Sequence, residues 1–335
     1  MPALVSSWPE PAAVADYDQR VQRTGVVRRV NDGASDLVLE VGGGVRPELA
    51  VHVAGGGRIL LRQGDQVVLL AKVHQDHAGV EYLTTGRFRP TIAPMRSVHA
   101  EATADAGSGC RSRRWAHYFA SALQAADQSP LYDGRWLLSA TATHLEHTPW
   151  ARSSAHRWAT LLLTENPGEI DWFSRQGGWQ VLPLRRLSGA TDARVKAYRK
   201  QARAGILPPV LLWWISGLDC YVILDGHDRI LAAIAEEQEP PLIALASVDR
   251  HRQETHSQVA VDRYRTEQQL IPPGNVEALA MSSRCLARTL IGIRTDYHPT
   301  RAWMLPGGRA TWDATSRAIG PDWCEHLRHS TGYAP

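Results

Sequence analysis

Residues 221–233 read YVILDGHDRILAA, and how this stretch divides decides the fold. Tyr221, Val222, Ile223 and Leu224 are apolar or β-prone and make a short strand. Asp225-Gly226 is a turn signal. Beyond it, Ile230, Leu231, Ala233 and Ile234 recur at the spacing of an amphipathic helix. A strand that feeds a helix through a glycine leaves free N–H groups at the helix start. Those groups and the helix dipole favour an anion, most often a phosphate. His227 and Arg229 fall in the first turn and add donors where a phosphate would lie. The competing reading is an ordinary cap, with Asp225 bonding the first N–H groups and Arg229 paired with Glu236 or Glu237 on the solvent face.

The flanks extend the pattern. Residues 181–184 (VLPL) form a leading strand, 192–204 a helix, and 205–210 (GILPPV) the approach to a second strand. On these residues, over 178–248, the chain resembles the ParB/sulfiredoxin-like superfamily, in particular its branch with a D-G-H-x-R box that includes free-serine kinases. The resemblance implies a nucleotide-binding α/β domain. Its cofactor would be ATP, ADP or another nucleotide, with magnesium, and its second substrate a small polar metabolite. Gly226, His227, Asp228 and Arg229 would bind the cofactor. Arg229 would hold a β- or γ-phosphate, and His227 would contact the phosphate chain or the acceptor. Asp225 would orient the acceptor hydroxyl or ligate magnesium, and Asp192 is a candidate base, although it also suits a helix N-cap.

The box departs from better-known branches. In partition proteins the loop reads G-E-R-R-x-R-A; Gly226 and Arg229 match, but His227, Asp228 and Leu231 do not, which argues against a DNA clamp. In sulfiredoxins it reads G-C-H-R, and His227 stands where the Cys would be. Cys220 precedes the strand, which argues against sulfinic-acid reduction. The serine-kinase branch uses a Glu near the leading strand, where this chain has LSGATD at 187–192. The expected function is therefore nucleotide binding, with phosphotransfer to a small metabolite or nucleotide hydrolysis as the chemistry. The alternative is a non-catalytic nucleotide-sensing or partner-binding module, and a third reading is nucleic-acid binding.

The bulk properties describe an ordinary globular chain. Hydrophobic residues make up 44% and charged residues 21% of 335 positions, enough for two or three domains with full cores. No apolar run approaches a membrane span, and residues 1–20 lack the basic start and apolar core of a secretory leader. Cys110, Cys220, Cys285 and Cys324 are scattered, with no CxxC pair, and read as reduced thiols of a cytoplasmic protein. Arginine outnumbers lysine, of which there are three (Lys72, Lys196, Lys200), in a net charge of +3. With abundant Ala and Gly this bias is the mark of a high-GC bacterial genome, and the weak excess argues against nucleic acid as main partner.

The expected class is α+β. Residues 1–23 read as an arm and 24–96 as a β-rich, barrel-like (OB-like) domain expected to fold on its own. Its strands are expected at 25–27, 36–41, 49–53, 66–70 and 80–83, separated by Gly- and Asp-containing turns. Residues 97–112 are small and polar and read as a linker. Residues 113–178 read as helical, from Trp115, Tyr118, Phe119, Ala122 and Leu123 and from Trp158, Leu161 and Leu162. The phosphate-loop domain fills 179–248 and a mixed extension 249–335. Trp213-Trp214 read as core. His144, Glu146 and His147, and His251 with His256, have metal-like spacings but no third ligand. Glu165, Glu169 and Asp171 mark an acidic turn that could add a base. Residues 300–309 could form a second anion-binding turn, or a structural turn pinned by tryptophan.

Overall fold

The computed structural model describes residues 26–31, 36–74, 79–95, 97–104, 107–140, 155–172, 180–248, 250–272, 274–296 and 299–330. The described chain opens with strands β1 (Val26–Asn31), β2 (Asp36–Gly42), β3 (Leu49–Ala54), β4 (Arg58–Gln63), β5 (Gln66–His74) and β6 (Gly79–Thr84). Helices α1 (Ser97–Ala104) and α2 (Ser108–Ala125), strand β7 (Gly134–Ser139), helix α3 (Ala155–Leu161) and strands β8 (Gly168–Asp171) and β9 (Val181–Pro183) follow. Next come α4 (Ala193–Arg203), β10 (Val210–Ile215), β11 (Cys220–Asp225), α5 (His227–Ala235) and β12 (Leu242–Val248). The chain ends in α6 (Arg250–Leu270), α7 (Val276–Asp296), β13 (Ala302–Met304), α8 (Gly308–Ile319) and α9 (Pro321–Ser330).

Two mixed sheets organise these elements. One runs β1-β2-β7-β12-β10-β11-β9, the other β13-β3-β4-β5-β6-β8. Parallel pairs join β10 to β12, β9 to β11 and β13 to β3. The central layer lies between the sheets, because alternate residues of a strand face opposite ways. On β11, Cys220, Val222 and Leu224 point into a core shared with Leu61, Leu69 and Tyr82 of the other sheet, and with Trp115 and Phe119 of α2. Tyr221 and Ile223 point the other way, into a layer closed by Trp158 of α3 and Ile230 of α5. The outer face of the second sheet is covered by Trp312, Trp323 and Leu327 of α8 and α9. Helices α6 and α7 lie against each other in antiparallel register, joined by Tyr264–Ser283 and Glu267–Ser282 hydrogen bonds. No helix among the described residues is long and apolar enough to cross a membrane.

The α+β class holds, and several finer expectations do not. The strands expected to make a small barrel are divided: β1 and β2 pair into the seven-stranded sheet, while β3 to β6 lie in the other. No closed barrel is formed among the described residues. The physical reason is the partner of β2. It pairs with β7, almost a hundred residues later in the chain, over Asp36↔Ser139 to Val41↔Gly134. The stretch read as a linker instead carries α1 and the start of α2. The stretch read as helical contains β7 and β8, and strand β4 was missed between two glycine turns. Trp213 and Trp214 are buried on opposite faces of β10, as the core reading requires. The arm at 1–23 lies outside the described residues.

Candidate functional site

The box begins where β11 ends. Gly226 takes a left-handed conformation, φ 101°, between β11 and α5. A Cβ there would lie 2.9 Å from Arg229 Nη2 and 3.0 Å from Nε, so the glycine is required both by its dihedral and by the guanidinium packed on it. Among the described residues, no side chain caps α5. Arg229 N–H donates back to Gly226 O at 2.9 Å, whereas the N–H groups of His227 and Asp228 have no helical carbonyl behind them. Helix α4 leads to the box by a similar logic. Gly205 (φ 69°) ends it, with Gly205 N–H donating to Ala202 O and Ile206 N–H to Gln201 O, a Schellman closure.

Arg229, expected to hold a phosphate, is instead a buried structural cation. Its Nη2 donates to Asp225 Oδ2 at 2.7 Å, and the Tyr198 ring centroid lies 5.9 Å from its guanidinium carbon. Burial by itself would lower the Arg229 pKa, but Asp225 and then Tyr198 outweigh it and raise it. Arg229 does not pair with Glu236 or Glu237 on the solvent face, because it is buried against Asp225 and Glu236 is held by Arg199 and Arg203. Asp228 is buried at the start of α5, where a carboxylate complements the dipole. It accepts Ser188 Oγ at 2.8 Å and faces Arg185 Nη2 at 3.2 Å and Arg194 Nη1 at 3.6 Å. Sequence reasoning assigned neither of the last two arginines to the box, although Arg185-Arg186 stands out as a basic pair. Their signal was Arg185-Arg186 after the leading strand and an arginine in the first turn of α4.

These groups line one cleft open to solvent, to which Arg185, Arg194, Tyr198 and residues 225–229 contribute. Pro90, Ile92, Pro94 and Met95 complete its lining. Three buried nitrogens of its lining have no hydrogen-bond partner among the described residues: His227 Nε2, Arg185 Nε and Arg229 Nε. Unsatisfied buried polar atoms are uncommon, and each calls for a cause. Burial, then Arg185 and Arg229, push the His227 imidazole well below its usual pKa, so it is neutral at pH 7. A neutral imidazole still offers one N–H. Three arginines against two aspartates leave the lining one positive charge in excess.

The structure brings Asp225, Gly226, His227, Asp228 and Arg229 together. It does not bring Asp192 to them. Asp192 is exposed, absent from the cleft lining, and accepts Gly189 N–H at 3.0 Å. Glu165 and Glu169 are exposed beside and on edge strand β8, which pairs with β6, and neither lines the cleft. Residues 300–309 form a structural turn: Leu305 N–H donates to Val53 O, and buried Trp312 Nε1 donates to Ile59 O. His144, Glu146 and His147 lie outside the described residues, as does the side chain of His251. Among the described residues, no three His, Cys, Asp or Glu side chains converge as a metal site. A magnesium ion would be held mainly by the phosphates of a nucleotide.

Set against protein-family models, curated proteins and solved structures, the chain matches none. The resemblance drawn above rests on residues 178–248 of the sequence alone.

Proposed function

We propose that the chain binds the phosphate groups of a nucleotide in this cleft. One observation carries the reading: three buried nitrogens of the cleft lining, two of them on cations, have no partner among the described residues, beside a helix start with no side-chain cap. Donors without acceptors suit an oxygen-rich anion. Arg185 and Arg194 take the role first given to Arg229, because both reach the cleft with partial exposure while Arg229 is committed to Asp225. His227 adds a neutral donor from the first turn of α5. The nucleotide, as against another phosphate ester, is supported by the ParB/sulfiredoxin-like pattern of the box.

The geometry favours binding or sensing over turnover. Both cleft carboxylates are already ion-paired, Asp225 with Arg229 and Asp228 with Arg185 and Arg194. The second reading, phosphotransfer or hydrolysis, draws on one observation. Asp225 ends β11 on the cleft lining, where a group orienting a hydroxyl or water would stand. The nucleic-acid reading drew on a small barrel, and its strands lie in two separate sheets.

Calorimetric titration with ATP, ADP and CTP tests the proposal. Replacing both Arg185 and Arg194 with Ala is expected to weaken binding by about 1.5–3 kcal/mol for each charged hydrogen bond lost. Equal affinity of variant and wild type would remove the cleft from consideration, as would absence of binding by wild type. Phosphate release from bound nucleotide, lost in Asp225→Asn, would move the reading from sensor to enzyme.

A further inference from the structure

We propose that the segment at 88–95 is the wall that takes the base of the nucleotide, so that the cleft selects a nucleoside phosphate over a bare phosphate chain. This rests on the reading above that the arginine side takes the phosphates. The cleft is lined by two parts of the chain that differ in kind. One carries Arg185, Arg194, His227 and the start of α5; the other contributes Pro90, Ile92, Pro94 and Met95, none of them charged. Pro90 and Pro94 are exposed and Met95 is half-buried. Apolar faces held open to solvent in the same cleft as cationic groups suit a ligand with an anionic end and a flat apolar end. A purine or pyrimidine ring has that second face. Proline rings offer it flat apolar area, and the Met95 thioether can lie against its edge. A sugar phosphate or polyphosphate would leave this wall wet.

The wall is preformed. Phe88 and Ile92 are anchored in the central core. Between them the buried Gln63 side chain grips the Arg89 backbone both ways, Nε2 donating to Arg89 O and Oε1 accepting Arg89 N–H, each at 2.8 Å. Phe88 also lies against the His227 ring, with centroids 6.1 Å apart, tying this wall to the box. A surface fixed in this way loses little entropy on binding. The segment follows β6 and lies far from 178–248 in the chain, so base selection comes from a part of the molecule outside the box and its flanks.

The test compares ATP with inorganic tripolyphosphate on the full chain by calorimetry at one salt concentration. Wild type is expected to bind ATP at least about tenfold more tightly, the scale of a few buried carbon groups. Met95→Ala and, as an exposed substitution that spares the core, Pro94→Ser should each weaken ATP several-fold and leave tripolyphosphate unchanged. Equal affinity of wild type for the two probes, or equal losses for both probes in the variants, would overturn the base wall and leave the phosphate site standing. If neither probe binds, the phosphate reading itself falls and the base wall falls with it.

Discussion

Arg229 and His227 sit two residues apart and do opposite work. Arg229 is a buried cation paired through Nη2 with Asp225, and removing one partner of such a pair commonly costs about 3–5 kcal/mol of stability. Its replacement would therefore confound binding with folding, which is why Arg185 and Arg194 are the better probes of the cleft. His227 is a buried neutral base, its pKa lowered by burial and by the arginines beside it. The sign of its effect on stability follows. The unfolded chain takes up a proton at this histidine near pH 6.5, and the native chain does not until lower pH. Its contribution is thus complete above about pH 6.5 and is lost as pH falls through and below that value, by at most about 1.4 kcal/mol per pH unit. Urea unfolding of wild type and His227→Gln between about pH 7.5 and pH 5 should show a shallower loss in the variant. Parallel curves would mean that His227 carries its proton in the native state.

At the scale of elements, the cleft depends on how two connections are held. The first is the β11–α5 turn, where Gly226 both adopts φ 101° and accommodates the Arg229 guanidinium. The second is the segment after β6, gripped by Gln63 from the end of β4. Gln63 is 3% exposed, so its two bonds are made where water competes poorly. Gln63→Ala is expected to cost about 1–3 kcal/mol of stability and to loosen the segment at 88–95. Hydrogen exchange at 88–92 should then quicken relative to β11. Unchanged protection there would show that the Phe88 and Ile92 anchors suffice alone. Neither connection shows a hydrophobic period. The Asp-Gly turn was legible from its residue types, while the Gln63 grip was not, because nothing local pairs residue 63 with residue 89.

At the scale of the whole molecule, the N-terminal strands and the box share one core. Leu37 and Leu39 of β2, Trp136 of β7 and Leu211, Trp213 and Val222 around the box belong to the same buried cluster. Thermal or urea unfolding is expected to be a single transition, coincident by tryptophan fluorescence and by far-ultraviolet circular dichroism. A fragment of residues 24–96 is expected to remain unfolded, since β2 would lose its β7 neighbour. Two separated transitions, or a folded fragment, would show that the N-terminal strands are an independent unit. By itself the sequence determined the local elements around the box: the leading strand at 181–183, helix α4, strands β10 and β11, the glycine turn and the apolar face of α5. Each is written in short-range spacing and turn chemistry. It also determined that His227 and Asp228 stand at a helix start. Only the tertiary structure decided that β1 and β2 join the sheet of the box, that β7 is a strand between β2 and β12, and that Arg229 turns inward to Asp225. It likewise decided that Arg185, Arg194 and the segment at 88–95 complete the cleft. The Arg229–Asp225 pair is four residues apart but is settled by burial; the other outcomes depend on pairings between residues tens of positions to more than a hundred apart, chosen by which apolar faces can be buried together, and no local pattern records that choice.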